Sequence, residues 1–452
     1  MATIYVKTLG CKVNTYDSHA LMSLFRARGH EPVEDLSQAA VAVLNTCSVT
    51  AAADREARSL LRRFRRENPG ALIVATGCYA QTDSAALSAM ADVDLVVPNE
   101  AKERLVAEVE ARLTTASGQL PTTMAKLPEG VRTVAENRQG HFKSVLNMAP
   151  ADPSQTRAFL KIQDGCNGFC TYCLIPYARG QSRSVGLESV VGEVRRLIDR
   201  GVKEIVFTGI HLGDYGRDLG RISGEPFAEL LAQLFSWPDM VRIRISSLEP
   251  SELTPELLRV LATRRELVCD HFHLPLQSGA DSVLTRMRRS YTTQEYAERV
   301  ALARAAFPDA CIGADIIPGF PGETAAEFAA TIALIRSTGL NYLHVFPYSK
   351  RPNTSAARMP EHLPGPVVKE RAKMLRDLSE ELVGAYRRRF IGQALPVLWE
   401  HGHDAEGRRT GLTPNYLEVA AAHGQDPAWN TIALTALKGF GADGRLIGLP
   451  RV

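Results

Sequence analysis

Apolar and polar residues alternate in two ways along the first part of the chain. Short apolar runs have the length and composition of β-strands, and the stretches between them repeat apolar residues every three or four positions, as amphipathic helices do. The predicted strands cover residues 3–8, 40–45, 71–76 and 95–97, and the predicted helices cover residues 16–28 and 51–67. Strands separated by helices predict an α/β domain with a parallel, doubly wound sheet.

From residue 114 to residue 156 the chain is rich in Ser, Thr, Pro, Gly and Ala and shows no sustained period. This composition is typical of a segment between domains. We predict a linker over residues 116–151, with a short strand around residues 131–135.

Strand-like and helix-like segments alternate again after the linker. Predicted strands cover residues 159–163, 204–208, 242–246, 271–275, 312–317 and 342–347, and predicted helices cover residues 187–200, 226–234, 255–264, 293–306 and 325–338. Six βα repeats predict a partial or complete α/β barrel. A charged helix is predicted over residues 366–390, and strand-like runs over residues 394–400, 410–419 and 430–436 predict a small all-β domain.

Composition narrows the class of protein. The 452 residues are 45% hydrophobic and 23% charged, as in an ordinary globular protein, and no apolar run is long enough to cross a bilayer. The first residues lack the pattern of a signal peptide, so we expect a cytoplasmic protein. A net charge of +3 permits a nucleic-acid partner without requiring one. Eight cysteines in a reducing compartment are expected to be thiols that can bind metal or act as nucleophiles.

Three of these cysteines lie within eight residues, as Cys166-x3-Cys170-x2-Cys173. Thiolates select zinc or an iron–sulfur cluster. A structural zinc site needs four ligands, and no fourth Cys or His lies nearby, although the fold could return His211 or His271. Three cysteines on a 4Fe-4S cluster leave one iron open for a small chelating ligand. This spacing after the first barrel strand resembles the radical S-adenosylmethionine (SAM) superfamily, in which Tyr172 has the usual adenine-contacting position.

Cys11, Cys47 and Cys78 are far apart in sequence, but each follows a predicted strand of the first domain. The carboxyl ends of parallel strands meet at one edge of a sheet, where doubly wound folds bind ligands. We therefore predict a second metal site at this edge. The alternative interpretation is that three partly buried cysteines share this edge by chance.

Several motifs together resemble the methylthiotransferase family of radical SAM enzymes over essentially the whole chain. They are Thr8-Leu-Gly-Cys11-Lys-Val-Asn14, Asn45-Thr-Cys47-Ser-Val-Thr50, Thr76-Gly-Cys78-Tyr-Ala-Gln81, Asp164-Gly-Cys166 through Cys173-Leu-Ile-Pro-Tyr-Ala-Arg-Gly180, His273-Leu-Pro-Leu-Gln-Ser-Gly279 and Tyr348-Ser-Lys-Arg-Pro-Asn-Thr354. The resemblance implies a methylthiotransferase domain with an auxiliary 4Fe-4S cluster over residues 1–115, a radical SAM core over residues 152–384 and a C-terminal TRAM β-barrel over residues 385–452.

The first cysteine motif separates branches of the family. Gly10-Cys11-Lys12-Val13-Asn14 resembles the branch that acts on N6-threonylcarbamoyladenosine in tRNA. The isopentenyladenosine branch usually has Gly-Cys-Gln-Met-Asn, and the ribosomal-protein branch has Gly-Cys-Pro-Lys-Asn. Two positions depart from the pattern: Thr15 replaces a common Gln, and Asn353 replaces a usual Gly. Asn tolerates the left-handed backbone conformation that a Gly at this position would adopt.

The resemblance also implies a mechanism. The cluster on Cys166, Cys170 and Cys173 binds and reductively cleaves SAM, and the cluster on Cys11, Cys47 and Cys78 carries sulfur. One SAM methylates this sulfur, and a second SAM drives insertion of the methylthio group at C2 of the modified adenine just 3′ of the anticodon. The implied partners are tRNA and electron-donor and sulfur-donor proteins, with no membrane partner and no catalytic residue beyond the cluster ligands.

Polar residues at predicted strand ends are candidates for contacts with SAM or substrate, although helix capping and turn formation explain them equally well. These candidates are Thr208, Gly209, Ser246 with Ser247, Glu249, Gln277 and Asp315. The arginines at positions 55, 58, 62, 63, 65 and 66, and those at 387–389, indicate either an RNA contact or a solvated helix face. Cys269 and Cys311 lie beside barrel strands and are predicted to be core residues.

Two alternatives to the threonylcarbamoyladenosine activity remain open. The same chemistry can act on another tRNA adenosine derivative or on a ribosomal-protein side chain. A non-enzymatic RNA-binding protein that contains zinc is a further interpretation of the cysteines.

Overall fold

The computed structural model describes residues 1–115, 156–220 and 224–451. Its contacts divide the chain into two compact units. The first unit comprises Met1–Asp152, Gln163–Arg183 and Ser349–Ala357, and the second comprises Pro153–Ile162, Ser184–Tyr348 and Arg358–Val452. The linker predicted over residues 116–151 and the strand predicted around residues 131–135 lie outside the described residues. The predicted domain boundaries therefore stay a prediction.

A five-stranded parallel sheet forms the centre of the first unit. Its strands are β1 (Thr3–Thr8), β2 (Glu31–Pro32), β3 (Val41–Thr46), β4 (Leu72–Gly77) and β5 (Leu95–Pro98), in the spatial order β2-β1-β3-β4-β5. The four strands predicted from the hydrophobic pattern are confirmed. The pattern missed β2, because a two-residue strand that ends in proline carries no periodic signal.

Helices cover both faces of this sheet. They are α1 (Lys12–Ala27), α2 (Ala51–Glu67), α3 (Cys78–Thr82), α4 (Ser84–Ser88) and α5 (Leu105–Thr115), and α6 (Ile175–Arg179) follows later in the chain. One apolar cluster joins Phe25 of α1 and Val109 of α5 to Val43 on one face of the sheet, and another joins Leu61 of α2 to Leu44 on the opposite face. Apolar layers on both faces are those of a doubly wound sheet, as predicted.

Six parallel strands form the first part of the second unit. Between the first two of them, two-residue strands, β7 (Gln163–Asp164) and β8 (Arg183–Ser184), bracket the loop that contains Cys166, Cys170 and Cys173. The six are β6 (Arg157–Lys161), β9 (Glu204–Thr208), β10 (Arg242–Ile245), β11 (His271–His273), β12 (Cys311–Ile316) and β13 (Tyr342–Val345). The ladders run β10-β9-β6 and β11-β12-β13, and isolated bridges join Ile243 to Val268 and Ser247 to His273.

Helices alternate with these strands as the sequence predicts. They are α7 (Leu187–Asp199), α8 (Pro226–Phe235), α9 (Pro255–Thr263), α10 (Asp281–Met287), α11 (Thr293–Ala306) and α12 (Ala325–Thr338), and the charged helix α13 (Gly365–Arg388) follows β13. The succession of parallel strands and helices confirms the α/β barrel class. Among the described helices, none combines the length and apolar character that a membrane span requires.

A closed five-stranded barrel ends the chain. Its strands are β14 (Ala394–His403), β15 (Arg409–Leu412), β16 (Glu418–Ala421), β17 (Thr431–Phe440) and β18 (Leu446–Pro450). The buried Trp399 packs in its core with Phe390, two residues after the end of α13. This small all-β barrel is consistent with the predicted TRAM domain.

The single strand predicted over residues 410–419 is wrong, because β15 and β16 are separated there by a tight turn. Tyr416 has a left-handed φ of 65°, and the Leu417 N–H donates to Thr413 Oγ1 at 2.8 Å. Pro414-Asn415 is a turn signal in the sequence that the β-like composition around it obscured. The last strand, β18, was also missed.

A buried ion cluster links β9 and β10. Glu204 is fully buried and accepts hydrogen bonds from Arg244 Nε at 2.7 Å and from Arg242 Nε at 2.9 Å. Burial alone would raise the pKa of Glu204, but Arg244 and then Arg242 lower it to about 2. The carboxylate is therefore ionised in the folded protein throughout the physiological pH range.

We predict that Glu204→Gln lowers the free energy of unfolding by about 3–5 kcal/mol near neutral pH, because it leaves two buried guanidinium groups without their anion. The contribution from the lowered pKa of Glu204 is complete above the ordinary value near 4.5 and disappears as the pH falls toward 2. The difference between the variant and the wild type, measured by chemical denaturation, should therefore narrow below about pH 5. Glu256→Gln on the exposed surface is the control, with an expected change under about 0.5 kcal/mol; a difference that does not depend on pH would contradict this account.

Candidate functional site

Cys11, Cys47 and Cys78 lie at the carboxyl ends of β1, β3 and β4, as the sequence predicts. The connection reverses direction between β1 and β3, and this switch point is where folds with the order 2-1-3-4-5 bind ligands. Cys11 and Cys47 flank the switch point. Cys47 and Cys78 are buried, whereas Cys11 is exposed.

Two glycines allow these loops to approach each other. A Cβ on Gly10 would lie 2.8 Å from both Cβ and Sγ of Cys47, and a Cβ on Gly77 would lie 2.4 Å from the Thr46 carbonyl oxygen. Both glycines also have φ of 97°, which side chains disfavour. Gly10 therefore brings the Cys11 loop against Cys47.

The three sulfur atoms influence one another electrostatically. The pKa of Cys47 is raised to about 12. Burial is the main cause, and Cys78 and Cys11 contribute to the rise. Burial of the sulfur likewise raises the pKa of Cys11, and Cys78 adds to this while Arg179 opposes it. Asn99 Nδ2 donates to Cys78 Sγ at 3.7 Å. Cys11 and Cys47 thus resist ionisation, and a metal cation that binds such thiols stabilises them as thiolates.

The loop with Cys166, Cys170 and Cys173 follows β7 and belongs to the first unit by its contacts. The Gly168 N–H donates to Cys166 Sγ at 3.3 Å, and the Ile175 N–H donates to Cys173 Sγ at 3.4 Å. A Cβ on Gly168 would lie 3.3 Å from Cys166 Sγ and 3.9 Å from Cys170 Sγ. The loop therefore wraps around its sulfur atoms, with backbone N–H groups directed at two of them. Tyr172 is half-buried beside Cys173.

Arg179, in α6, connects this loop with the first cysteine set. Its side chain is only 2% exposed and forms ion pairs with Asp164 at 3.1 Å and with Asp17 at 3.2 Å. Its Nη2 also donates to Asn14 Oδ1, while its Nε has no hydrogen-bond partner among the described residues. Burial would lower the pKa of Arg179, but Asp164, Cys78, Asp17 and Cys11 raise it well above its ordinary value. A permanent positive charge thus lies beside the first cysteine set.

Five predicted residues lie at strand ends in the second unit. Thr208 ends β9 and Gly209 follows it, Ser246 follows β10, Gln277 lies beyond β11, and Asp315 is in β12. Ser246 Oγ and Gln277 Oε1 are buried without a hydrogen-bond partner in the described part of the chain. Gln277 also has a φ of 65°. Unsatisfied buried polar atoms and unusual backbone conformations are both enriched at ligand sites.

Glu249 already has structural partners. It pairs with Arg289 and caps the short helix Pro250–Glu252 in a capping box with Glu252. Burial is the first cause that raises its pKa. Glu249 therefore has the capping role that the sequence left as an alternative to a SAM or substrate contact.

Sequence reasoning missed two histidines beside Asp315. Nε2 of His273 lies 2.9 Å from Asp315 Oδ1, although it is not aligned for a hydrogen bond, and Nδ1 of His344 lies 3.3 Å from the same oxygen. Ser247 Oγ lies 2.6 Å from His273 Nδ1. The signal for His344 was its place between Tyr342 and Phe346 at period two, which predicts the same face of β13.

A second histidine group, His211 with Asp214 and Glu252, is fully engaged. Asp214 Oδ2 lies 3.1 Å from His211 Nδ1, and Glu252 Oε1 lies 2.7 Å from His211 Nε2. This arrangement holds the loop after β9 to the short helix Pro250–Glu252. It has the geometry of a structural contact.

The arginine-rich helix α2 divides into two sets. Arg58 donates to the Tyr79 hydroxyl of α3, and Arg65 pairs with Asp94 just before β5, so these two fix α2 to its neighbours. The other four, Arg55, Arg62, Arg63 and Arg66, are exposed. Cys269 and Cys311 are buried, as predicted for core residues. Asn353 has the left-handed φ, 68°, that its place in the motif suggested.

Two family models match the chain. Residues 3–98 match the uncharacterized protein family UPF0004, and residues 160–335 match the radical SAM superfamily. The chain is 38% identical to the threonylcarbamoyladenosine tRNA methylthiotransferase MtaB of Bacillus subtilis (strain 168), over 97% of this chain and 94% of that protein. It is 37% identical to the protein of the same name from Aquifex aeolicus (strain VF5), over 91% and 95%.

Other similarities extend the comparison. The tRNA-2-methylthio-N(6)-dimethylallyladenosine synthase of Frankia casuarinae (strain DSM 45818 / CECT 9043 / HFP020203 / CcI3) is 36% identical over 90% of this chain and 72% of that protein. Among solved structures, the radical S-adenosylmethionine methyltransferase TsrM from Kitasatospora setae is similar with a TM-score of 0.52 and 15% identity, over 78% of this chain and 76% of that one. The structural likeness supports the fold alone.

We predict that Arg179→Gln lowers the free energy of unfolding by about 3–5 kcal/mol, because Asp164 and Asp17 stay buried after losing a charged partner. Each carboxylate keeps one other cation, Lys102 Nζ at 3.2 Å from Asp17 and Arg183 Nη2 at 3.6 Å from Asp164, so both should contribute to the loss. Guanidinium denaturation of the variant checks this. Arg63→Gln, in an exposed pair with Glu67, is the matched control and should change stability by under about 0.5 kcal/mol. Equal effects of the two substitutions would contradict the assigned role of Arg179.

Proposed function

Because this chain belongs to the methylthiotransferase family of radical SAM enzymes, we propose that it adds a methylthio group to C2 of N6-threonylcarbamoyladenosine next to the anticodon of tRNA. The observation that carries the proposal is 38% identity to a tRNA methylthiotransferase over 97% of this chain. The position of Cys11, Cys47 and Cys78 at one edge of the sheet supports it. The reaction consumes two SAM molecules and a sulfur donor. Electron-donor and sulfur-donor proteins complete the proposed set of partners.

Cys166, Cys170 and Cys173 are the proposed ligands of the cluster that binds SAM. Their loop suits this group, because backbone N–H groups already donate to two of the sulfur atoms, as around protein-bound iron–sulfur clusters. A 4Fe-4S cluster held by these three cysteines would supply the electron for reductive cleavage of SAM. Tyr172, beside Cys173, is the proposed contact of the SAM adenine.

The donor set favours a cluster over a single zinc ion. Zinc with bonds of about 2.3 Å to sulfur would hold its ligand atoms roughly 3.8 Å apart. In the described part of the chain, the groups of three ligand atoms within 4.8 Å of one another are His273/Asp315/His344 and His211/Asp214/Glu252, and neither contains a cysteine. The three sulfur atoms of each cysteine set therefore do not all lie within 4.8 Å of one another. This wider spacing suits a four-iron cluster better than a single zinc ion.

Cys11, Cys47 and Cys78 are the proposed ligands of the auxiliary cluster that holds the transferred sulfur. Three thiolates and sulfide carry negative charge, and the buried guanidinium of Arg179 offsets it at short range. Cys11 is the exposed residue of this set, and we propose that substrate approaches from its side. Arg179 and Asn99 are proposed to orient and stabilise the sulfur atoms.

The proposed tRNA contacts lie on exposed basic and aromatic groups. Arg55, Arg62 and Arg66 extend from α2 into solvent, where they can contact phosphates. In the C-terminal barrel, Trp429 and Phe440 are large exposed aromatic side chains on which unpaired bases can stack. These surfaces support an RNA substrate over the ribosomal-protein alternative.

Iron content and SAM cleavage test the separate roles of the cysteines. The protein purified without oxygen should hold about eight irons per chain. Alanine at positions 166, 170 and 173 should remove about half of this iron and all 5′-deoxyadenosine formation. Alanine at positions 11, 47 and 78 should also remove about half of the iron, but should leave SAM cleavage while abolishing the methylthio product.

Cys269→Ala is the matched control for these variants and should keep the full iron content, since Cys269 is buried against Glu204. A colourless protein with stoichiometric zinc would contradict both clusters. Equal loss of SAM cleavage in the two triple variants would contradict separate roles.

Nucleoside mass spectrometry of tRNA from a deletion strain tests the substrate. The methylthio mark should disappear from N6-threonylcarbamoyladenosine and stay on isopentenyladenosine, and the plasmid-borne gene should restore it. Loss from isopentenyladenosine instead would assign the other adenosine derivative. An unchanged tRNA profile would favour a protein substrate.

A further inference from the structure

Three neighbouring strands of the second unit present polar side chains at their carboxyl ends. His273 is in β11, Asp315 in β12 and His344 in β13, and Asp315 lies directly opposite His344 in the parallel ladder. His273 is opposite Gly313, two residues before Asp315 on the same face. The barrel edge to which these strands lead is where α/β barrels bind their substrates.

One oxygen of Asp315 holds both imidazoles. Oδ1 lies 2.9 Å from His273 Nε2 and 3.3 Å from His344 Nδ1. Burial would raise the pKa of Asp315, but its contacts with His273 and His344 lower it far below the ordinary value, so the group is a carboxylate. Oδ2 of Asp315 and Nε2 of His344 have no partner among the described residues, and the His344 side chain is 54% exposed.

Residues that contact Asp315 also have buried polar atoms without hydrogen-bond partners among the described residues. Gln277 donates its backbone N–H to the Asp315 carbonyl at 2.8 Å, and its buried Oε1 is unsatisfied. His273 is 6% exposed, and its Nε2 is close to Asp315 without a hydrogen-bond alignment. Leaving such groups unpaired is costly, so a bound molecule with its own donors and acceptors would stabilise the site.

We propose that His273, Asp315 and His344 bind the polar, anionic N6 substituent of the substrate adenosine. This inference rests on the proposed function and assigns its specificity to three side chains. The threonylcarbamoyl group has urea N–H donors, a hydroxyl and a carboxylate. Asp315 Oδ2 accepts from a urea N–H, and Nε2 of His344 accepts from an N–H or hydroxyl when neutral and donates to the carboxylate when protonated.

The same geometry disfavours two other occupants. An isopentenyl substituent offers no donor or acceptor, so it would give no partner to Asp315 Oδ2 or Gln277 Oε1. Sites of this kind reject analogues that lack the polar group. A metal ion would need lone pairs from both imidazoles directed at one point. Nδ1 of His344 instead lies at hydrogen-bonding distance from the Asp315 carboxylate, which makes it an N–H donor.

The test measures RNA binding by the holoenzyme. Fluorescence anisotropy gives the Kd values, and the measurements are made without oxygen. The probes are three anticodon stem-loops that differ only at the target base, which is threonylcarbamoyladenosine, isopentenyladenosine or unmodified adenosine. The wild type should bind the threonylcarbamoyl probe at least about tenfold more tightly than the other two. His344→Ala and Asp315→Asn should each reduce this preference to about twofold or less, while the Kd for the unmodified probe stays the same.

Two further variants separate recognition from folding. His344→Gln retains a donor and an acceptor and should recover part of the preference. Gln294→Ala, on the exposed face of α11, should behave as the wild type. Cluster iron and the absorption spectrum should be unchanged in all four variants.

Each outcome has a distinct meaning. Full preference in His344→Ala and Asp315→Asn would overturn the inference while leaving the proposed function intact, as would a wild type that methylthiolates the threonylcarbamoyl probe without preferring it. A wild type that fails to methylthiolate this probe would contradict the proposed function itself. One equivalent of a non-cluster metal that disappears in Asp315→Asn would identify a metal site and overturn the inference.

Discussion

The guanidinium of Arg179 is almost wholly removed from water, and a charge in that position has to be matched by buried anions. The match comes from two directions, because Asp164 precedes the Cys166 loop and Asp17 follows Cys11 in α1. A displacement of either loop would leave a buried charge without its partner, at a cost of several kcal/mol. Arg179 thereby holds the two cysteine-bearing loops in place, and this fixes the positions of the cysteines proposed as cluster ligands.

Parallel strands explain why the candidate site residues lie at two sheet edges. In the first unit the carboxyl ends of β1, β3 and β4 bring together cysteines that are 36 and 31 residues apart in the chain. In the second unit the same geometry gathers Ser246, Gln277 and Asp315. Close approach at the first edge depends on Gly10 and Gly77, since a side chain at either position would displace Cys47 or the backbone of Thr46. The fold thus brings the strand ends near one another, and the glycines allow the loops that follow them to approach closely.

Features with a local signal could be predicted from the sequence, and features made by distant residues could not. The Cys166 motif, the alternation of strands with helices and the cysteines after strands all depend on neighbouring residues or on period. The Arg179 network joins residues 165 and 162 positions apart, and no periodicity reports such a contact. The contacts of His273 and His344 with Asp315 also required the ladder between β11, β12 and β13. The turn near Tyr416 was not predicted for a different reason, because the β-like residues on both sides of it outweighed the Pro-Asn turn signal.

A polar anchor for the N6 substituent would also serve the reaction geometry. In the target adenine, N6 and C2 belong to the same rigid ring, so a base held at N6 by Asp315 and His344 and at its ribose by the RNA chain has little freedom to rotate. Such two-point attachment converts a mobile base into a positioned one, which is worth several kcal/mol of activation free energy in well-oriented reactions. Recognition of the substituent and orientation of C2 would then be the same physical event. Selectivity for a polar substituent would follow from the positioning that radical insertion at a single carbon requires.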